Sequence, residues 1–340
     1  MISIKDKRIL LIGGAGFIGH NMALSLAKCG AKVSIIDSLQ VNNILAFQST
    51  NNTIKNRDFY IDILNQRLQL LKDAGIPVYV QDARDYHQLS KGIEEIDPQI
   101  IVMLSAVSHA DRSNKDPHAT FDHSLNTLEN ALDIAKNRVE HFIYFSSSMV
   151  YGNFAEGFVT EESICNPMGI YGSLKFAGEK MVIAYNQVFN MPYTIIRPSA
   201  LYGERCVSLR VGQLFIENAM NGLEINIKGD GSDSFDFTYI DDLVSGVINV
   251  MENENSKGQI FNITYGSGRS LQEMVTILKD YFPDMKVNYL PKDKLMPKRG
   301  TLSVEKAKNL IGYEPKNPLE IGFVKYIEWY KSFMTKKENA

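Results

Sequence analysis

The chain has 340 residues and a net charge of −3, and 44% of its residues are hydrophobic while 22% are charged. This composition is typical of globular proteins and excludes a disordered chain. The small net charge excludes a broad basic surface for nucleic acid or for membranes, so we expect neither as a partner. The length exceeds a typical domain of roughly 100–200 residues, so one large or two medium domains are expected.

The three cysteines, Cys29, Cys165 and Cys206, lie far apart and have no C-x-x-C spacing. We therefore expect no metal site and no disulfide framework, a pattern that suits a reducing compartment. The first residues lack the apolar stretch and cleavage site of a secretory signal, and no run of about 18 apolar residues occurs. These features predict a cytoplasmic protein.

The first half of the sequence alternates short apolar runs with helical patterns, of which the first helix covers residues 17–28. Continuous apolar strands separated by helices are typical of a parallel sheet that is covered on both faces. We therefore predict a Rossmann-type, doubly wound α/β fold. The predicted strands cover residues 8–12, 32–37, 76–80, 100–104, 141–145 and 193–197.

The segment 38–75 is long for a single crossover, and a helix is predicted over residues 64–72 within it. It is either a surface excursion or a segment that borders the adenosine end of a cofactor or a subunit contact. After residue 197 the segments become shorter and mixed. We predict a first domain over residues 1–197 and a smaller mixed α/β lobe over 198–340, with part of about 236–265 returning to the first domain.

A glycine-rich turn, with Gly13, Gly16 and Gly19, joins the first predicted strand to the first helix. Glycines allow a tight turn and let a pyrophosphate approach the backbone at the positive end of a helix. Asp37 follows about 20 residues later, where a carboxylate can accept hydrogen bonds from an adenosine ribose. This carboxylate would repel a 2′-phosphate, so the pattern predicts NAD rather than NADP, bound by the first domain.

A second group of candidate functional residues lies further along the chain. Tyr171 and Lys175 are four residues apart at the start of a predicted helix, which places both on one helix face. A nearby ammonium favours a phenolate, which could then act as a base. Ser147 follows the strand predicted over 141–145, at the edge of the sheet where ligands bind. Each piece alone is weak evidence, since a polar loop or a chance helix face would supply it.

With these pieces in order, the chain resembles the extended short-chain dehydrogenases/reductases, in particular their NAD-dependent sugar-nucleotide epimerase/dehydratase branch. The resemblance implies that Ser147, Tyr171 and Lys175 are catalytic, and that a nucleotide-diphosphate sugar is the substrate. The cofactor-binding residues that it implies are Gly13, Gly16, Phe17, Ile18, Gly19, Asp37, Asp82, Ala83, Leu104, Ser105, Ala106, Tyr171, Lys175 and Pro198. Helices around 116–137 and 172–189 would build a homodimer through a helix bundle, although they could also pack only within the chain.

Departures from the family pattern narrow the reaction. Dehydratases of this branch carry Asp-Glu directly after the catalytic hydroxyl, where this chain has Ser148 and Met149. We therefore favour epimerisation, at C4 through a transient 4-keto sugar. The alternatives are a dehydrogenase that releases the keto sugar, a 4,6-dehydratase, and a non-catalytic NAD-binding protein on the same fold.

Two further departures concern the substrate diphosphate. Phe235 and Ala200 stand where the family commonly has an arginine and an asparagine, so other groups must hold the phosphates. Arginine forks suit phosphate, although any one of these arginines could instead be an ordinary surface residue. The substrate-binding candidates are Ser108, His109, Ser148, Arg205, Arg210 and Arg299.

Overall fold

The computed structural model describes residues 2–41, 43–48, 56–107, 110–154, 156–291 and 297–338. Its strands are β1 (Arg8–Ile12), β2 (Lys32–Asp37), β3 (Val78–Val80), β4 (Ile100–Met103), β5 (His141–Phe145), β6 (Phe158–Val159), β7 (Tyr193–Arg197), β8 (Leu201–Tyr202), β9 (Ile225–Lys228), β10 (Ser234–Phe235), β11 (Thr238–Tyr239), β12 (Gln259–Asn262), β13 (Arg269–Ser270), β14 (Val287–Leu290) and β15 (Thr301–Leu302).

The helices are α1 (Phe17–Lys28), α2 (Ile44–Gln48), α3 (Arg57–Asp73), α4 (Tyr86–Ile96), α5 (Ala110–Lys115), α6 (Pro117–Phe121), α7 (Thr127–Ala135), α8 (Gly169–Phe189), α9 (Val211–Met220), α10 (Ile240–Met251), α11 (Leu271–Tyr281), α12 (Glu305–Ile311) and α13 (Leu319–Glu338). Among the described residues, no helix is long and apolar enough to cross a membrane.

A seven-stranded parallel sheet forms the centre of the molecule, in the order β12-β7-β5-β4-β1-β2-β3. Successive residues of β1 point to opposite faces, and both faces are buried: Leu11 packs into one apolar cluster, whereas Leu10 and Ile12 pack into another. Because helices cover both faces, every residue of a central strand can be apolar. The predicted Rossmann-type α/β fold is confirmed.

The strand order reverses beside β1, since the chain continues from β1 to β2 on one side and later returns to β4 on the other. In open parallel sheets, such a reversal leaves a crevice at the carboxyl ends of the two strands. The turn after β1 and the segment after β4 therefore face the same space.

The second half of the chain contributes short two-stranded sheets and helices α9 to α13. Strand β12 instead extends the central sheet, parallel to β7, with Ile260 opposite Ile195. The division into domains at residue 197 stays a prediction.

Two predicted helices differ from the observed ones. The helix expected over 64–72 is α3, which begins at Arg57 and buries Phe59, Tyr60, Ile63, Leu64, Arg67 and Leu71. The interpretation of the segment 38–75 as a surface excursion therefore does not hold for this helix. The helix expected over 116–137 is divided, because one π-helical turn, Asp122–Asn126, separates α6 from α7.

Candidate active site

The turn between β1 and α1 is shaped to hold a phosphate group. Gly13 has a φ of +79°, and a Cβ atom there would lie 2.7 Å from the Ser105 backbone nitrogen. A Cβ on Gly19 would lie 2.3 Å from the Gly14 carbonyl oxygen. Gly16, at the N-cap of α1, has no side chain to cap the helix, and the first turn of α1 has no acidic residue. The first N–H groups of α1 are thus available to an anion.

Asp37 ends β2 beside this turn. One carboxylate oxygen accepts a hydrogen bond from Ala15 N at 2.9 Å, and the other accepts one from Leu39 N at 2.8 Å. Burial raises the pKa of Asp37, while these two backbone bonds and the charge of Arg67 oppose the rise. The carboxylate is therefore fixed in orientation at the edge of the cleft, which is the arrangement that a ribose diol needs.

A cleft runs along this edge of the sheet. It is lined by eleven of the predicted cofactor residues, namely Gly13, Gly16, Phe17, Ile18, Gly19, Asp37, Asp82, Ala83, Leu104, Ser105 and Ala106. Tyr171, Lys175 and Pro198 lie outside this lining set. The Pro198 carbonyl instead accepts a hydrogen bond from Ser148 N at 2.9 Å, which ties the end of β7 to the segment that follows β5.

The segment 38–75 also reaches the cleft, through Ser38, Val41 and Arg67. Arg67 Nε donates to the Arg205 carbonyl oxygen at 2.9 Å, and burial lowers the pKa of Arg67 to about 10. Arg67 is not among the cofactor residues predicted from the sequence. A signal existed, since an arginine stands between Ile63 and Leu71 on an apolar i, i+4 stripe.

The opposite wall of the cleft carries a charged cluster. Arg84 Nε and Arg84 Nη2 donate to the two carboxylate oxygens of Asp82 at 3.0 and 2.6 Å, and Arg84 Nη1 donates to Asp122 at 2.7 Å. These bonds lower the pKa of Asp82. The π-helical turn that carries Asp122 also places His123, which is not among the predicted residues, in the cleft lining.

The structure brings Ser147 and Tyr171 together. The Ser147 hydroxyl accepts a hydrogen bond from Met149 N at 3.2 Å and lies within reach of the Tyr171 phenol. Burial raises the pKa of Tyr171, and Arg210, Ser147 and Arg299 oppose the rise. Two arginines from the second half of the chain thus reduce the cost of forming the phenolate, and the role of Lys175 in this stays a prediction.

Lys175 lies one helical turn beyond Tyr171 on α8. Its Nζ donates to the Phe145 carbonyl at 2.6 Å and lies over the Tyr144 ring, 5.1 Å from the centroid. Burial lowers the pKa of Lys175 to about 7, and the negative charge of Glu179 opposes the shift. Lys175 can therefore gain or lose a proton near neutral pH.

A buried ion pair between Arg197 and Glu179 lies next to Ser146, the residue before Ser147. Arg197 Nε and Nη2 donate to the two oxygens of Glu179 at 2.9 and 2.7 Å, and the Ser146 hydroxyl donates to the same carboxylate at 2.5 Å. Arg197 also donates to the Tyr151 hydroxyl at 3.0 Å. Both charges of the pair are thus paired and hydrogen-bonded, as buried charges require.

Arg299 lies close to the catalytic candidates Ser147 and Tyr171. Its guanidinium donates to Ser148 Oγ and Met149 Sδ, and to Ser199 Oγ at 3.4 Å, and it stacks over Phe154 with 5.4 Å between the guanidinium carbon and the ring centroid. Of the predicted substrate residues, Ser148, Arg210 and Arg299 thus gather around Tyr171.

Comparison with known proteins places these residues in a family. The model of the NAD dependent epimerase/dehydratase family matches residues 9–264. The chain belongs to this family. The predicted family is confirmed, and so is the predicted cofactor, because the family depends on NAD. The glycine cradle, the uncapped start of α1 and the oriented Asp37 all fit that cofactor.

Solved and curated members of the family align along the whole chain. UDP-glucuronic acid 4-epimerase from Bacillus cereus, solved with UDP-glucuronic acid and NAD, is 25% identical, with a TM-score of 0.85 over 95% of this chain and 99% of that one. UDP-glucose 4-epimerase from Thermotoga maritima is 26% identical, with a TM-score of 0.80 over 96% and 99%. UDP-glucuronate 4-epimerase 1 from Arabidopsis thaliana is 26% identical over 96% of this chain and 77% of its own length.

Within the epimerase/dehydratase fold, one predicted substrate residue lies away from the others. Arg205 Nε donates to His20 Nε2 at 3.2 Å and Arg205 Nη2 donates to Asn21 Oδ1 at 3.4 Å, so its guanidinium lies on α1. The structure does not bring it to Tyr171, because these hydrogen bonds hold its guanidinium on α1. Ser108 and His109 lie outside the described residues.

Proposed function

We propose that this protein inverts C4 of a UDP-sugar, using bound NAD and a transient 4-keto sugar. The observation that carries the proposal is the placement of Ser147 beside Tyr171 at the carboxyl end of β5, next to a cleft lined by the glycine turn and Asp37. The UDP-sugar epimerases among its relatives support both the nucleotide and the carbon.

The residues of the chain divide the work as follows. Tyr171 as phenolate takes the proton of the C4 hydroxyl, while Ser147 hydrogen-bonds to the same oxygen and keeps it aligned. NAD would supply reversible hydride transfer at C4: the hydride would leave one face of the sugar and, after the 4-keto sugar rotates in the site, return to the other, while Tyr171 gives the proton back to the C4 oxygen. Gly13, Gly19 and Asp37 would hold the pyrophosphate and the adenosine ribose of the cofactor.

The absence of an acid/base pair after the catalytic hydroxyl supports epimerisation over dehydration. Elimination of water needs a group that takes a proton from carbon and a group that gives one to the leaving hydroxyl. Ser148 and Met149 have no ionisable side chain for either task, and both accept hydrogen bonds from Arg299.

Residues 1–197 would hold NAD, and residues 198–340 would supply the groups that hold the nucleotide sugar. The positions of Arg210 and Arg299 support this division.

A homodimer would bury apolar side chains that α8 leaves exposed: Val188 is 69% exposed and Phe189 is 38% exposed. Val188→Glu should then shift the mass measured by light scattering from dimer to monomer. A cytoplasmic location is supported by the three free cysteines, Cys29, Cys165 and Cys206.

Tyr171→Phe tests the assignment of the base. Loss of a general base should lower the turnover of UDP-sugars, followed by NMR, by about 10²–10⁴-fold, while the NAD content of the purified protein stays the same. Tyr185→Phe on the same helix is the matched control and should keep full turnover. Near-normal turnover by Tyr171→Phe would refute the proposal. If the wild type accumulated NADH together with a keto sugar, the protein would be a dehydrogenase and not an epimerase.

A further inference from the structure

Arg299 is a half-buried cation whose surroundings lack a counter-ion. Among the residues that the structure describes, no carboxylate lies within ion-pair distance of its guanidinium, and its Nε is buried without a hydrogen-bond partner. Its contacts are the neutral groups of Ser148, Met149, Ser199 and Phe154.

Neighbouring charges do not supply the missing anion. Two groups favour the charged form of Arg299: Tyr171, a phenol whose pKa is raised by burial, and Asp236, whose carboxylate oxygens already accept from Leu302 N at 3.0 Å and from Gly266 N at 3.1 Å. Arg210 adds a second positive charge. Burial and Arg210 together lower the pKa of Arg299 to about 10, so it stays positive at neutral pH. Such a charge is costly unless an anion pairs with it.

A nucleotide sugar can carry two anionic groups, the diphosphate and a carboxylate at C6. The position of Arg299 indicates which of the two it binds. It contacts Ser148, the residue after Ser147, and Ser199 at the end of β7. On the proposed function, Ser147 and Tyr171 bind the C4 hydroxyl. The diphosphate is attached to C1, across the ring from C4, whereas C6 is carried by C5, the neighbour of C4. Because Arg299 contacts the residue after Ser147 and acts on Tyr171, it lies near C4, so the anion within its reach is a carboxylate at C6.

We propose that Arg299 selects a UDP-uronic acid, a sugar whose C6 is a carboxylate. The guanidinium gives two-pronged recognition of a planar carboxylate through Nε and a terminal nitrogen. The Ser148 and Ser199 hydroxyls, which now accept from Arg299, could turn to donate to the same carboxylate. This inference rests on the proposed function for the placement of C4, but its test does not depend on turnover.

The test compares the binding of UDP-glucuronate, UDP-glucose and UDP to the NAD-loaded protein by calorimetry. We expect the wild type to bind UDP-glucuronate at least about tenfold more tightly than UDP-glucose, and Arg299→Met to abolish this preference while UDP binds as before. Lys298→Met is the matched control, since it removes the same charge from the adjacent, exposed residue. It should retain the preference.

Two outcomes would overturn the inference. One is equal affinity of the wild type for the acidic and the neutral sugar. The other is a loss of affinity in Arg299→Met that is the same for UDP and for both sugars, which would assign Arg299 to the diphosphate. Epimerisation of UDP-glucose by a protein that shows no preference would leave the proposed function standing, so the two failures are distinguishable.

Discussion

The two ends of the proposed active site, one for the cofactor and one for the sugar, differ in how their charges are balanced. At the cofactor end, formed by Gly13–Gly19, Asp37 and Asp82, each acidic group has partners within the chain: Asp37 accepts from two backbone N–H groups and Asp82 is paired with Arg84. At the sugar end, formed by Ser148, Arg210 and Arg299, the Arg299 guanidinium contacts neutral groups. The shape of the cofactor end is therefore set by the chain itself, whereas the charge of the sugar end calls for an anion from outside.

A second comparison concerns two arginines near the catalytic residues. Arg197 is 3% exposed and is held by Glu179 through two hydrogen bonds, whereas Arg299 has no such partner among the residues described. The first arginine should stabilise the folded chain only while its partner is present, and the second should contribute little to folding. Four predictions test these contrasts, from the largest expected effect to the smallest.

Glu179→Ala should lower the free energy of unfolding by about 3–5 kcal/mol, because it leaves the buried Arg197 guanidinium unpaired. Urea denaturation measures this value. Glu254→Ala, which removes the exposed partner of Lys257, is the matched control and should cost about 1 kcal/mol or less. Arg299→Met should be as stable as the wild type or more so. If it were as unstable as Glu179→Ala, the contrast between the two arginines would be lost.

The buried carboxyl group of Asp236 should make the free energy of unfolding depend on pH. Burial raises its pKa to about 6 in the folded chain, so the folded state binds a proton that the unfolded state has released between about pH 4 and 6. Relative to Asp236→Asn, the wild type should lose about 2 kcal/mol of stability as the pH rises from 4.5 to 7. Urea denaturation at pH 4.5 and 7 measures the difference.

Asp58→Asn is the control, since it changes a carboxylate that is 87% exposed. Its free energy of unfolding should differ from that of the wild type by the same amount at both pH values. A stability difference between wild type and Asp236→Asn that stays constant with pH would mean that burial does not hold this carboxyl protonated.

Gly13→Ala should weaken NAD binding at least about tenfold, because a positive-φ alanine is strained and its Cβ would meet the Ser105 backbone. Gly75→Ala provides the control: its φ is +68°, but its Cβ would meet nothing within 4 Å. The control shares the strain and should retain NAD. Titration of the NAD-free proteins with NAD compares the two, and equal affinities would show that the cradle tolerates a side chain.

Ala200→Gly should raise the free energy of unfolding by about 1 kcal/mol, since Ala200 has a φ of +38° and glycine adopts this region without a Cβ clash. Ala131→Gly, inside α7, should lower it by a similar amount or more. Thermal unfolding of both variants gives the signs. A destabilised Ala200→Gly would mean that the left-handed backbone at this position carries no strain.

The sequence predicts the local structure of the proposed cofactor end better than the contacts of the proposed sugar end, for a physical reason. Strands and the glycine turn are local patterns: β1, β2, α1 and Asp37 lie where the periodicity and the spacing of 13–37 placed them. The environment of Arg299 depends on Ser148, which lies 151 residues earlier in the chain, and no local pattern reports such a contact. The orientation of Arg205 towards α1 is of the same kind.

Helix α3 was predicted only in part, because its burial depends on the far end of the sequence. The apolar positions of residues 64–72 marked a helix, but Phe59 is buried by Tyr330 and Phe333, at ring-centroid distances of 5.8 and 5.3 Å. The role of Arg67 follows from this packing. A polar residue within an apolar stripe signals a buried charge, but not the cleft that the charge borders.

The anchoring of α3 has a kinetic consequence. Its Tyr60 hydroxyl donates to Glu217 of α9 at 2.5 Å, and Tyr330 of α13 donates to the same carboxylate at 2.8 Å. The helix that brings Arg67 to the cleft is thus hydrogen-bonded to α9, and α9 is hydrogen-bonded to α13 through the same carboxylate. Any motion that swings these helices outward must break buried hydrogen bonds before the adenosine side can open. Bound dinucleotide should accordingly leave slowly and remain in place over many turnovers, as a resident group that is not exchanged with each sugar.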